Sequence, residues 1–212
     1  MNNCLEKWVR HPKVLIGLAA AGIGIFLFWP LTYISQLVHG KYNPLESTVS
    51  QLELGPGSDI EKVAFLMSGL FAITFTLGLY VYFKQRNEKM FVSGIFLLVS
   101  IGIATCILAI IPPVSTSTAG SAHTSLTVII LGAFPFSCFF LIPKFKKESW
   151  HGIFVYTLIT GILAAAFGIG SLFSPESFFG LAERLTIANG MVWFGVVGTN
   201  IIRHVTKKDF MK

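Results

Sequence analysis

The sequence predicts an all-α membrane protein, a bundle of six transmembrane helices, and three observations support this fold class. Hydrophobic residues make up 53% of the chain and charged residues 12%, with a mean hydropathy of +0.71, whereas soluble domains use roughly 25% charged residues. Six apolar segments reach the roughly 20 residues with which a helix crosses a bilayer. Basic residues recur in alternate connections between those segments, as they do in multi-pass proteins.

The connections between the six segments are short and contain no Pro/Ser-rich linker or low-complexity tail. We therefore expect a single integral membrane domain over residues 1–212. Ser58 and Glu61 form a capping box that is predicted to open the second helix. The predicted spans are residues 14–36, 63–83, 90–111, 122–142, 152–173 and 181–202.

The distribution of charge predicts the orientation of the bundle. Thirteen of the sixteen basic residues lie before span one, between spans two and three, between spans four and five, or after span six. The positive-inside rule makes that side cytoplasmic, so both the N and the C terminus should be cytoplasmic. Because this distribution also explains the net charge of +6, we predict no nucleic acid partner.

The first external connection has a pattern of its own. Asn43, Pro44 and Glu46 match the N-cap, the first-turn proline and the third helical position of a capping box, and a Gly-Pro-Gly sequence would end the helix at residues 55–57. The apolar face of that helix would carry Leu45, Val49 and Leu52, and its polar face Glu46, Ser50 and Glu53. We expect a short amphipathic helix along the outer membrane surface or over the bundle mouth.

The sequence predicts no cofactor and no metal site. It contains no HExxH, GxSxG, P-loop or CxxC motif. None of the five histidines lies well inside a span with a second one at matching depth, which is what haem would require. Cys106 and Cys138 lie at different depths in their spans, and Cys4 lies on the reducing side, so no disulfide is expected.

Polar residues converge on the external ends of the spans and are candidates for a site. His123 opens span four, Glu183 and Arg184 open span six, and Ser47 and Ser50 lie in the first external connection. A serine, a histidine and a glutamate are the residue types of a hydrolytic triad. In that arrangement either serine is the nucleophile, His123 is the base and Glu183 orients it. Arg184 could instead bind the phosphate of a lipid headgroup, which would make the pocket a recognition site.

Each of these residues also has an interpretation without a ligand. An interfacial histidine can satisfy a helix end, and Glu183 in a first helical turn complements the positive end of the helix dipole. Arg184 can extend its side chain to lipid phosphates. Ser50 can belong to the solvated face of the surface helix. Residue type and position therefore leave catalysis, recognition and structure all open.

Several motifs together resemble a known family. They are STVSQLELGPGS after span one, a proline-ended span three, a histidine that opens span four, and GLAERLTIANGMVWFGVVGTNIIR in span six. The chain resembles the domain-of-unknown-function 998 family of predicted prokaryotic membrane proteins. The resemblance implies a six-helix fold and a multi-pass location in the cell membrane, but no activity. It also implies the residues of a site: Ser47, Ser50, His123, Glu183 and Arg184, with Trp193 in the same span-six motif.

The chain departs from that family at one position. Members often have an acidic residue soon after the proline that ends the third span, whereas this chain reads IIPPVSTSTAG. The departure removes a potential partner for His123 and weakens a catalytic or metal-site analogy.

Three functions remain open at this point. The preferred hypothesis is binding of a lipid or a small amphipathic molecule at an external pocket, with His123, Glu183, Arg184 and Trp193 as contacts. The first alternative is a membrane-embedded hydrolase of a lipid ester or amide. The second is a non-catalytic assembly subunit, in which small-residue helix faces would contact membrane lipids, a second copy of the chain or another membrane protein.

Overall fold

The computed structural model describes residues 11–84, 92–114, 118–147 and 150–210. A 3₁₀ turn, Ile25–Leu27, joins the first two helices into one continuous span. No strand occurs among the described residues. Each predicted span corresponds to one helical segment, which confirms the all-α fold and the count of six. The helices are α1 (Pro12–Gly24), α2 (Phe28–His39), α3 (Ser58–Lys84), α4 (Val92–Leu108), α5 (Thr118–Lys147), α6 (His151–Leu172) and α7 (Phe179–Phe210).

Five helical segments within the described ranges are long and apolar enough to cross a membrane, and α4 is a shorter apolar helix. Its 17 residues rise roughly 26 Å, slightly less than the roughly 30 Å of a bilayer core. The prediction extended this span to residue 111, but α4 ends at Leu108. Pro112 and Pro113 explain the difference, because a residue before proline is disfavoured in the helical conformation.

The spans form a closed ring. The span made by α1 and α2 packs on α3, each later helix packs on the next, and α7 returns to pack on α1. Large side chains fill the interior of the ring, where the Trp193 ring lies 6.1 Å from Phe75 and 5.8 Å from Phe134. The connections α2–α3, α4–α5 and α6–α7 share one end, which we call the mouth. The opposite end, where α1 begins and α7 ends, we call the base.

Glycines allow the ring to close. A Cβ atom at Gly198 of α7 would lie 2.5 Å from the carbonyl oxygen of Ala19, and one at Gly22 of α1 would lie 2.5 Å from that of Phe194. Between membrane helices, small residues permit this close backbone approach where lipid supplies no hydrophobic driving force. The seam between α1 and α7 therefore requires glycine on both sides.

The α2–α3 connection, predicted from the sequence as the first external one, differs from the prediction. Instead of an amphipathic α-helix that begins near Asn43, it contains a five-residue 3₁₀ helix, Val49–Glu53, with a Thr48–Gln51 capping box. A 3₁₀ helix has three residues per turn, so its faces differ from those of the predicted helix. Glu53 was predicted on a solvated face but is only 4% exposed.

A second difference concerns Glu61, which was predicted to close a capping box with Ser58. The α3 helix does begin at Ser58, but the Glu61 carboxyl accepts a hydrogen bond from Thr32 of α2 at 3.0 Å. The Glu61 side chain is fully buried. A tertiary contact has therefore replaced the local one.

Candidate functional site

Buried polar side chains are concentrated at the mouth of the bundle. Helix ends and a connection meet there, so the backbone offers hydrogen-bonding partners that the middle of a membrane span lacks. The members less than a tenth exposed include Thr32, Ser35, Glu53, Glu61 and His123. Such groups are costly to bury unless they are paired, and several of their atoms are not.

His123 lies in the second turn of α5 and is 3% exposed. Its Nδ1 atom is 2.6 Å from the carbonyl oxygen of Ile111. Because a carbonyl oxygen can only accept, Nδ1 carries the ring proton and donates a hydrogen bond to that oxygen. Its Nε2 atom is buried and has no hydrogen-bond partner in the described part of the chain. In the neutral ring that atom is an acceptor, and in the protonated ring it is a second donor.

Glu53 approaches the same imidazole from the 3₁₀ helix. Its Oε2 atom lies 4.0 Å from Nδ1 of His123, and neither of its oxygens has a hydrogen-bond partner among the described residues. The pKa of Glu53 is raised to about 8, mainly by burial, with a smaller rise from the nearby Glu61 carboxyl and an opposing effect of Lys62. At neutral pH, Glu53 is therefore mainly protonated.

Glu183 binds the backbone of the α2–α3 connection. Its Oε2 atom accepts a hydrogen bond from the backbone N–H of Val49, the first residue of the 3₁₀ helix. Such an N–H group has no partner within its own helix. Glu183 thereby positions the turn that carries Ser50 and Glu53.

Arg184 binds the preceding part of the same connection. Its Nη1 atom donates to the carbonyl oxygens of Pro44 and Ser47, each at 2.8 Å, and of Gly180 at 2.9 Å. Its Nη2 atom donates to the hydroxyl of Tyr42, whose pKa burial raises to about 12. We call Glu183 and Arg184 the loop clamp, because they fasten the connection to α7.

A cavity of about 140 Å³ lies inside the ring below the mouth, and all six spans contribute to its wall. We call it the central cavity. Its lining includes Ser50, His123 and Glu183 near the mouth, and Phe134 and Phe194 deeper in the bundle. Glu183 and Phe194 are roughly 16 Å apart along α7, at 1.5 Å per residue. The cavity is thus polar at one end and apolar along its depth.

The residues proposed from the sequence fall in three places. Ser50, His123 and Glu183 line the central cavity. Ser47 and Arg184 meet in the loop clamp, where the guanidinium is occupied by carbonyl oxygens. Trp193 is fully buried in the core, and its Nε1 atom donates to Thr157 Oγ1 at 3.0 Å.

Two carboxyl groups of the site were not recognised in the sequence. Glu53 was assigned to a solvated face because an α-helical period was assumed for its segment. Glu61 was explained by local capping, and its partner Thr32 lies 29 residues earlier. A signal was nevertheless available for Glu53, because it lies between Leu52 and Leu54 in a connection otherwise rich in Gly, Pro and Ser.

The described residues contain no group of three His, Cys, Asp or Glu side chains that could hold a metal ion. Cys106 and Cys138 are free thiols. The polar side-chain groups that line the central cavity are hydroxyl, imidazole and carboxyl groups.

Comparison with known proteins gives one match. The family model described as "Protein of unknown function (DUF998)" matches residues 22–200. No curated protein and no solved structure matches the chain.

Proposed function

Since this chain belongs to the DUF998 family, whose function is unknown, we propose its function from the site: it is a membrane protein that binds a small amphipathic molecule in the central cavity. The polar end of the ligand lies against His123 and Ser50, and its apolar end points toward Phe194. The observation that carries this proposal is the buried Nε2 atom of His123, which has no partner in a residue that lines the cavity. An unsatisfied buried polar atom costs roughly 1–3 kcal/mol, and a ligand that pairs with it recovers that cost.

The volume of the cavity limits the ligand. At about 140 Å³ it is close to the roughly 150 Å³ apolar cavity that holds benzene, and far smaller than a phospholipid. A length of roughly 16 Å along α7 with so little volume fits a narrow, unbranched chain. We infer a single-chain amphiphile, or one end of a larger lipid that extends through the mouth.

The charges at the mouth indicate the chemistry of the polar end. Glu53 and Glu61 each have a carboxyl oxygen without a partner among the described residues. The nearest arginine, Arg184, is committed to carbonyl oxygens of the connection. The unpaired Nε2 atom of the neutral His123 ring accepts a hydrogen bond, which favours an amine or hydroxyl group on the ligand over a carboxylate or phosphate.

A series of single-chain probes tests this proposal. Decylamine, decanol and decanoate share one chain and differ in the polar end, and each is titrated into the purified protein while its melting temperature is followed. We expect the amine to raise the melting temperature most and the carboxylate least. His123→Ala should abolish the shift, whereas Thr124→Ala, an exposed neighbour on α5, should retain it.

An equal rise in melting temperature with the three probes, or the reverse order of the rises, would contradict the proposal. If no probe binds and native mass spectrometry of the purified protein shows no small molecule, the function of an assembly subunit is favoured over ligand binding. A partner chain should then copurify with the protein.

A hydrolase is the second candidate, because Ser50 and His123 line one cavity. The free Nε2 atom of His123 is suited to accept a proton from a serine, while Ile111 and Glu53 face its Nδ1 atom. The Ile111 carbonyl oxygen, which accepts the Nδ1 hydrogen bond, then has the orienting role that the sequence suggested for Glu183. A fluorophosphonate should label Ser50 and not the Ser50→Ala variant, with Ser47→Ala as the matched control. Absence of Ser50 labelling at every pH tested would exclude the hydrolase and leave ligand binding as the proposed function.

The orientation of the bundle is part of the same proposal. Basic residues cluster at the base, so we place the base and both termini in the cytoplasm and the mouth outside the cell membrane. Labelling of Ser177→Cys, an exposed position at the mouth, by an impermeant maleimide in intact cells tests this. Labelling only after lysis would reverse the orientation.

A further inference from the structure

A second cavity, of about 420 Å³, lies on the outside of the ring at the seam between α1 and α7. We call it the base groove. It is separate from the central cavity and shares no lining residue with it. Its apolar lining is Ile23, Phe26, Ile153, Val192 and Val196, and its polar lining is Thr199, Asn200 and Arg203.

The polar residues lie at the end of the groove that faces the base. Helices α1 and α7 run in opposite directions, and Gly198 meets Ala19 at the seam. Arg203 therefore lies one to two turns closer to the base than this contact, and Lys13 of α1 lies at a similar level. From Arg203 to Val192 the groove extends roughly 16 Å along α7.

The polar end offers hydrogen-bond donors and positive charge. Arg203 is exposed, and Nδ2 of Asn200 is shielded from solvent with no partner in the described part of the chain. The acidic residues whose side chains are described all belong to the mouth half of the chain: Glu46, Glu53, Asp59, Glu61, Glu176 and Glu183. An anionic group with acceptor oxygens therefore complements this end.

We propose that the base groove binds an anionic phospholipid from the leaflet at the base. The phosphate accepts hydrogen bonds from Arg203 and Asn200, and one acyl chain lies against Phe26 and Val192. A guanidinium suits this role because its planar fork pairs with two phosphate oxygens. The volume of about 420 Å³ holds part of an acyl chain.

The test compares two lipids with the same acyl chains. Phosphatidylglycerol and phosphatidylcholine compete for the purified full-length protein in mild detergent, and native mass spectrometry counts the bound lipid of each kind. We expect a preference for phosphatidylglycerol that Arg203→Ala reduces roughly fivefold, since one basic residue near an anionic surface contributes about that factor. Lys146→Ala, an exposed basic residue at the base on α5, should leave the preference unchanged.

A second variant tests the apolar part of the groove. Val192→Trp fills the groove from an exposed position without changing charge, and it should reduce phosphatidylglycerol binding at least as much as Arg203→Ala. Soluble glycerol phosphate should not compete, because it lacks an acyl chain. Equal binding of the two lipids to the unaltered protein, or equal effects of the Arg203 and Lys146 variants, would overturn the proposal.

Discussion

The Nδ1 atom of His123 lies 4.0 Å from Oε2 of Glu53, and both side chains are almost completely buried. The contact joins the α2–α3 connection to α5 across the mouth of the bundle. The imidazole N–H is directed at the Ile111 carbonyl oxygen, with the Glu53 carboxyl beside it. The opposite ring nitrogen, Nε2, has no partner among the described residues, and His123 lines the central cavity. This nitrogen is therefore available to a ligand.

Replacement of Glu53 by Gln should change how stability depends on pH. Burial raises the pKa of Glu53 from 4.5 to about 8, so the folded protein holds this proton more tightly than the unfolded chain. The stability gained from it is fully present below about pH 4.5 and is lost as the pH rises through about 8. Between about pH 5 and about pH 8, the melting temperature of the unaltered protein should fall more steeply than that of Glu53→Gln. Parallel melting profiles for the two proteins would show that Glu53 is not protonated in the folded state.

Removal of the Arg184 guanidinium should release the α2–α3 connection. Arg184→Ala removes the donors to Pro44, Ser47 and Tyr42, and we expect a loss of about 2–3 kcal/mol of stability, since hydrogen bonds to charged groups are the stronger ones. Faster proteolytic cleavage between residues 42 and 57 should accompany it. Arg184→Lys should not restore protection, because one ammonium group cannot reproduce the planar set of donors.

A control for that experiment lies on the same helix. Arg203→Ala removes an arginine at the opposite end of α7, so cleavage of the connection should not change. If Arg203→Ala accelerates cleavage as much as Arg184→Ala, loss of positive charge and not loss of the clamp is responsible.

The spans could be predicted from the sequence because the length of an apolar run is a local property. The prediction for the connection failed for a different reason. Residues Val49–Glu53 form a 3₁₀ helix, and the first N–H of that helix, on Val49, donates to Glu183, 134 residues later. A local pattern does not contain that partner, and without it the α-helical and 3₁₀ periods cannot be distinguished over five residues.

The candidate site was predictable to a similar extent. His123, Glu183 and Arg184 attracted notice because they stand at the ends of apolar runs, which is again a local feature. The roles of Glu183 and Arg184 depend on contacts with residues more than 130 positions earlier in the chain. Glu53 was misassigned because its burial follows from how the connection folds back over the ring.

Filling the central cavity should block the ligand without disturbing the mouth. A Cβ atom at Gly190, which lines the cavity, would have Phe134 as its nearest neighbour at 3.7 Å, an ordinary contact. Gly190→Leu should therefore fold and should reduce the decylamine-induced rise in melting temperature to near zero. Gly170→Leu, at a position with nothing within 4 Å, is the control and should respond like the unaltered protein. Full retention of the response in Gly190→Leu would place the ligand elsewhere.

The seam between α1 and α7 gives a prediction about stability alone. Gly198→Ala places a Cβ atom 2.5 Å from the Ala19 carbonyl oxygen, so the two helices must separate, and overpacking of this kind costs roughly 1–3 kcal/mol. The control is Gly17→Ala on α1, where nothing lies within 4 Å of the added atom. It should be neutral or slightly stabilising, because alanine favours a helix more than glycine does. Thermal unfolding in detergent distinguishes the two variants. Equal melting temperatures for them would mean that α1 and α7 are not in backbone contact, and the closed ring that encloses the central cavity would then be open at this seam.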